Sequence, residues 1–97
     1  MAAYIIVNVR IEDPKLYEEY KKLAPASIAA YGGKYLARGG AVEILEGSWP
    51  EGRLVILEFA SIARAKEWLN SPDYADARSL RHSCAKTDMI VTEGLPR

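Results

Sequence analysis

At 97 residues, 49% hydrophobic and 27% charged, the chain has the makeup of one ordinary globular domain spanning positions 1–97. No apolar run approaches the roughly 20 residues of a membrane span, and the first residues lack the basic and long apolar segments of a secretory leader, so a cytoplasmic protein with no membrane partner is expected. Thirteen basic residues balance thirteen acidic ones, leaving no net field to attract nucleic acid, and the single Cys84 excludes an internal disulfide or a thiolate metal cage.

Ala3 to Ile11 is rich in β-branched residues and reads as a strand. Asp13 then suits a helix N-cap and Pro14 the first helical position, where the missing N–H costs nothing. Leu16, Tyr20 and Leu23 recur at helical spacing with Tyr17 beside them, and Glu18, Glu19, Lys21 and Lys22 take the other face. Pro25 is expected to break or kink this helix, with a second stretch from Ala26 to Tyr31.

Two glycine pairs, Gly32-Gly33 and Gly39-Gly40, bracket a short strand from Lys34 to Arg38. The first pair ends the helix and the second bends or bulges the strand beside Arg38, which continues over Ala41 to Leu45 before a turn-rich run to Gly52. A third strand covers Arg53 to Ala60. Ser61 caps a helix through Asn70, Ser71-Pro72 starts another near Asp73 to Ala85, and Lys86 to Glu93 is the last strand.

The order βαββαβ implies an α+β, ferredoxin-like fold: a four-stranded antiparallel sheet with both helical connections on one face. Strands covered on one face only should alternate apolar and polar residues, but these do not. The first strand opposes Ala3, Ile5, Val7 and Val9 with Tyr4 and Ile6, and the third opposes Val55, Leu57 and Phe59 with Leu54 and Ile56. Both faces call for burial, so the sequence predicts a homodimer formed through the sheet faces.

The run Ala30 to Gly40, the Glu43 to Gly47 segment with Trp49, the strand Arg53 to Phe59, and Trp68 through Ser71-Pro72-Asp73-Tyr74 to Arg78 resemble a bacterial family of uncharacterised small proteins. That family, a domain of unknown function, belongs to the dimeric α/β-barrel superfamily. The resemblance implies the ferredoxin-like fold and a face-to-face dimer, and supplies no activity. The superfamily also holds cofactor-free monooxygenases, haem-degrading enzymes, lactone isomerases and stress-response barrels, whose ligands are small and often aromatic. In the monooxygenase and haem-degrading relatives a first-strand asparagine and a second-helix tryptophan shape the pocket, and Asn8 and Trp68 are similar in placement. His82 falls about a helical turn later than the relatives' histidine.

The residues give the same candidates a plainer alternative. Asn8, Arg38 and Glu58 are polar positions among apolar strand neighbours, with Asn8 and Glu58 on the partner-facing side. Arg38 and Glu58 could form a structural ion pair, or Arg38 could grip a carboxylate or phenolate. Trp68 is either core or pocket wall. Tyr74, Ala77, Leu80 and Cys84 form the inward stripe of the last helix, with Arg81 inside that sector and Arg78 at its margin. His82 and Cys84, two apart on a helix, point to different faces and form no nucleophile pair. Trp49 either packs on its own hairpin or anchors a dimer contact.

The RNA-recognition module shares this topology, but Arg53 to Ala60 carries aliphatics and Glu58 where that module needs stacked aromatics. The candidate ligand-binding residues are thus Asn8, Arg38, Glu58, Trp68, Tyr74, Arg78, Arg81 and His82, with no catalytic residue assigned and neither metal nor cofactor expected. The reading is a homodimer that binds a small apolar or aromatic, anionic metabolite, any catalysis being cofactor-free. The alternatives are a non-catalytic structural or regulatory module and a monooxygenase-like or haem-binding enzyme.

Overall fold

The computed structural model describes residues 1–96. Seven elements follow in order: β1 (Ala3–Ile11), α1 (Pro14–Ala30), β2 (Lys34–Arg38), β3 (Arg53–Phe59), α2 (Ile62–Leu69), α3 (Pro72–Cys84) and β4 (Ala85–Glu93). The strands form one antiparallel sheet in the order β2-β3-β1-β4, the ferredoxin-like arrangement expected from the sequence. Caps set the helix starts: Asp13 accepts from the Lys15 and Leu16 amides, Ser61 from Arg64 and Ser71 from Tyr74.

The core lies between the sheet and the helices. Ile5, Val7 and Val9 of β1 and Val55, Leu57 and Phe59 of β3 meet Trp68 of α2 and Tyr74 and Ala77 of α3. On α1 the buried stripe is Tyr17, Ala24, Ser27 and Ile28, with Tyr20 packed against it. Leu16 and Leu23, expected on that stripe, are exposed. The helix is rotated so that the tyrosines, whose rings bury area and whose hydroxyls find partners, take the inner sector.

Pro25 does not break α1 into two helices; the helix runs continuously through it. A proline inside a helix removes one backbone hydrogen bond, that to the carbonyl four residues earlier. Here that carbonyl belongs to Lys21, and the Arg38 side chain supplies the missing donor at 3.3 Å.

Gly32, at φ 76°, follows the C-cap Tyr31 in the left-handed conformation that ends many helices, and the Gly33 amide donates to Ile28. The irregularity in β2 is a register shift between Tyr35 and Ala37, ahead of the second glycine pair rather than at it. Tyr35 stands opposite Leu57 and Arg38 opposite Val55, so the extra residue at Leu36 puts Tyr35 and Arg38 on the same, helix-covered face. The strand expected over Ala41 to Leu45 does not form; positions 40–52 are a loop exposing Val42, Ile44, Leu45 and Trp49. The alternating Val42 and Ile44 mimic a strand pattern, but no neighbouring strand pairs with them.

Candidate functional site

A cavity opens between the inner face of the sheet and the helices. Val7 and Val9 of β1, Val55 and Leu57 of β3, Met89 of β4 and Trp68 of α2 supply apolar walls. Tyr17, Tyr20 and Lys21 of α1, Tyr35 and Arg38 of β2 and Arg81 of α3 supply the polar ones. Its volume is about 30 Å³, room for a water or two. The polar groups that line it are thus phenols and cations.

Arg81 sits deepest among the charged groups, only 4% exposed. Its Nε–H donates to the Tyr74 hydroxyl at 3.2 Å, and Nη1 donates to Thr87 Oγ1. The Tyr74 hydroxyl lies 2.6 Å from that of Tyr20. Both acceptors of Arg81 are neutral, and no carboxylate forms a salt bridge with it among the described residues. Trp68 stacks on Tyr74 with ring centroids 4.1 Å apart, and its Nε1–H donates to Ser27 Oγ, which in turn donates to the Ala24 carbonyl. These bonds lock the inner wall.

The outer wall is held more loosely. The Arg38 guanidinium lies 4.6 Å from the Tyr35 ring centroid, and that of Arg53 lies 5.7 Å from the Tyr17 ring. Burial pushes the Tyr20 phenol far above its ordinary range, reinforced by the facing Tyr74 hydroxyl. Burial also raises Tyr17 and Tyr35, opposed by the positive charge of Arg53 and Arg38 on Tyr17 and of Arg38 on Tyr35. All three phenols therefore stay protonated at neutral pH and can donate to an oxyanion.

Of the residues singled out in the sequence, Arg38, Trp68 and Arg81 line this cavity, and Tyr74 stands behind it. Asn8 does not join them. It lies on the opposite face of the sheet, buried under the end of the 40–52 loop, where its Nδ2 donates to the Glu51 carbonyl at 2.9 Å. The alternation of β1 requires this, because Val7 and Val9 already point at the helices. Glu58 is also on that outer face, opposite Tyr4, and meets Lys34 Nζ at 3.7 Å rather than Arg38. The register is the reason: Glu58 stands opposite Lys34, at the other end of β2 from Arg38, and the bulge further turns Arg38 inward.

Arg78 and His82 lie outside the cleft, on the outer side of α3. Arg78 Nη1 donates to Asn70 Oδ1 at 3.3 Å. His82 is exposed, its imidazole held below the usual range by desolvation from its neighbours and by the charges of Arg81 and Arg78. Cys84 is buried, which raises its thiol above the ordinary value. Among the described residues no group of three or more His, Cys, Asp or Glu is placed to hold a metal ion.

Sequence reasoning passed over Tyr17, Tyr20 and Tyr35 as site residues. The available signal was the pair Tyr17 and Tyr20 on the inward stripe of α1, since buried phenols require partners. Arg53 was also missed. Its guanidinium packs against the backbone of Gly39, whose lack of a side chain makes the space.

The profile of a domain of unknown function, DUF1330, matches residues 2–95, and the chain belongs to that family. No curated protein matches it. Among solved structures it is similar to a protein of unknown function from Rhodopseudomonas palustris, at 21% identity and TM-score 0.78, covering 99% of this chain and 84% of that one. It is also similar to SnoaB, a cofactor-independent oxygenase from Streptomyces nogalater, at 8% identity and TM-score 0.66, covering 99% and 95%. A dimeric protein of unknown function and ferredoxin-like fold from Bacteroides fragilis aligns at 14% identity and TM-score 0.65, covering 96% of each chain. At these identities the likeness shows the fold.

Proposed function

We propose that this DUF1330 chain acts as a homodimer that binds a small apolar or aromatic metabolite through an anionic group, in the cleft between its sheet and its helices. The observation that carries the reading is Arg81. A guanidinium this deeply buried is costly unless it is paired, and its present partners are two neutral hydroxyls. The cavity it lines is where a counter-charge would arrive. The phenols beside it are donors to an oxyanion, and Trp68, Leu57 and Met89 offer apolar surface for the rest of the ligand.

The dimer draws support from the other face of the sheet. Tyr4, Ile6 and Ile56 are only half-buried there, and Ile90 is 61% exposed. Leu45, 94% exposed, and Trp49 extend the apolar surface along the 40–52 loop. A second copy of the same face would cover it. No helix among the described residues is long and apolar enough to cross a membrane. We assign the protein to the cytosol with neither nucleic acid nor membrane as partner, and its zero net charge supports the latter by giving no field toward polyanions.

A second reading, a dimeric structural or regulatory module, is favoured by the cavity's small volume. Thermal shift separates the two. A panel of aromatic carboxylates and phenols, each with its neutral amide or ether analogue, is screened against wild type and Arg81→Met. The binding reading expects at least one anion to raise the Tm of wild type, its neutral analogue to do less, and Arg81→Met to lose the shift. An anion panel that shifts neither protein leaves the structural module.

A further inference from the structure

The cavity must widen to hold anything larger than water, since small-molecule sites span roughly 300–1,000 Å³. Its walls differ in how they are fixed. Arg81 is held by two side-chain hydrogen bonds, and Trp68 by its bond to Ser27 and by rings on both sides. Arg38 is exposed, its end held across the rim by one 3.3 Å bond to the Lys21 carbonyl and by packing over the Tyr35 ring.

That carbonyl is available for a chemical reason. In an α-helix the carbonyl of residue 21 accepts from the amide of residue 25, and Pro25 has no amide hydrogen. The proline inside α1 therefore leaves one acceptor at the rim of the cavity, and the β2 bulge turns Arg38 to reach it. The bond joins a cation to a neutral carbonyl. A carboxylate would offer the same guanidinium a charged, bidentate partner, and a phenolate a charged one.

We propose that Arg38 is the specificity-determining residue at the entrance of this cavity: latched on the Lys21 carbonyl that Pro25 leaves free, it closes the pocket, and it transfers to the anionic group of an entering ligand. The proposal rests on the binding reading above and gives it a residue that both admits and selects. Two substitutions separate its parts. Pro25→Ala restores an amide that competes with Arg38 for the Lys21 carbonyl, so the latch is weakened while the charge is kept. Arg38→Ala removes both.

Trp68, 1% exposed on the cavity wall, reports access without any ligand. In a Trp49→Phe background it is the chain's sole tryptophan, and its fluorescence is quenched with acrylamide, which is neutral, and with iodide, which is an anion. Both Pro25→Ala and Arg38→Ala are expected to raise acrylamide quenching at least twofold. The ratio of iodide to acrylamide quenching should rise or hold in Pro25→Ala and fall in Arg38→Ala, a divergence that general loosening of the core would not produce. Unchanged acrylamide quenching in both variants, or the same ratio in both, overturns the assignment of Arg38.

Salicylate titrations of the same proteins keep the two readings apart. Saturable change in Trp68 emission, tighter in Pro25→Ala than in the parent and weaker in Arg38→Ala, supports both the latch and anion binding. Salicylate binding with equal affinity in all three overturns the latch and retains the binding site. An altered quenching pattern with no salicylate response in any protein supports the latch and counts against the binding reading.

Discussion

The hydroxyls of Tyr20 on α1 and Tyr74 on α3 lie 2.6 Å apart, and the second of them also accepts the Nε–H of buried Arg81. Two of the three helices that cover the sheet, α1 and α3, are thus joined by a polar bond beside the cavity. The pair is not symmetric. Tyr20 has one partner here, whereas Tyr74 carries the bond that partly satisfies a buried charge.

That asymmetry predicts unequal mutants. Tyr20→Phe removes one neutral hydrogen bond and should cost about 1 kcal/mol, while Tyr74→Phe also strands a charged donor and should cost about 2–3 kcal/mol. Urea denaturation of the two variants checks the order. A larger loss for Tyr20→Phe would show that the Arg81 guanidinium does not depend on Tyr74.

The same phenols give the protein an alkaline limit. Tyr17, Tyr20 and Tyr35 all hold their protons beyond the ordinary value of 10.0, burial being the main cause, and buried Cys84 is raised above 9.0. Below the unfolded values both states are protonated, so the stability these groups contribute is intact. Above them the unfolded chain releases protons first, and each group costs up to roughly 1.4 kcal/mol per pH unit until its folded value is passed. Urea midpoints should be flat from pH 7 to about 8.5 and fall steeply above about pH 10. The fall should be shallower in Tyr20→Phe, which removes the most shifted phenol; an equal slope would mean Tyr20 ionises freely in the folded state.

Neighbouring glycines at the end of β2 should respond differently to a methyl group. Gly39 has φ 69° and the guanidinium of Arg53 against it, whereas a side chain at Gly40 would meet nothing within 4 Å. Gly39→Ala is expected to cost about 1–2 kcal/mol, and Gly40→Ala to stay within about 0.5 kcal/mol of the parent. Thermal denaturation of the pair decides it, equal losses counting against a specific requirement at Gly39.

Local chemistry made most of the fold legible. Asp13-Pro14, Ser61 and Ser71-Pro72 announced three helix starts, and helical spacing from Tyr74 to Cys84 placed Arg81 on the buried side. What escaped the sequence depended on partners distant along the chain. Pro25 read as a helix break because nothing local shows that Arg38 replaces its hydrogen bond. A pairing of Arg38 with Glu58 stayed open because neither the register that sets Glu58 opposite Lys34 nor the one-residue shift between Tyr35 and Ala37, which reverses the facing of Arg38, is visible locally. The tyrosines of α1 read as core because ring burial looks the same whether or not the hydroxyl faces a cavity.

The outer face of the sheet makes the last prediction. Ile90 is 61% exposed on β4, opposite half-buried Ile6, which in turn stands opposite half-buried Ile56, and it has no role in the core beneath the helices. Ile90→Asp should therefore leave the folded single chain nearly as stable while placing a charge inside the proposed dimer. Light scattering is expected to give twice the chain mass for wild type at micromolar concentration. The variant should dissociate at least tenfold more readily, about 1.4 kcal/mol of association energy. Trp49 tests whether the loop takes part. Trp68 is 1% exposed and should emit alike in both states, so any blue shift on raising the concentration belongs to Trp49, which is 53% exposed in the single chain. A dimer whose emission does not shift with concentration would confine the interface to the strands, and a wild-type mass equal to one chain would leave the face uncovered.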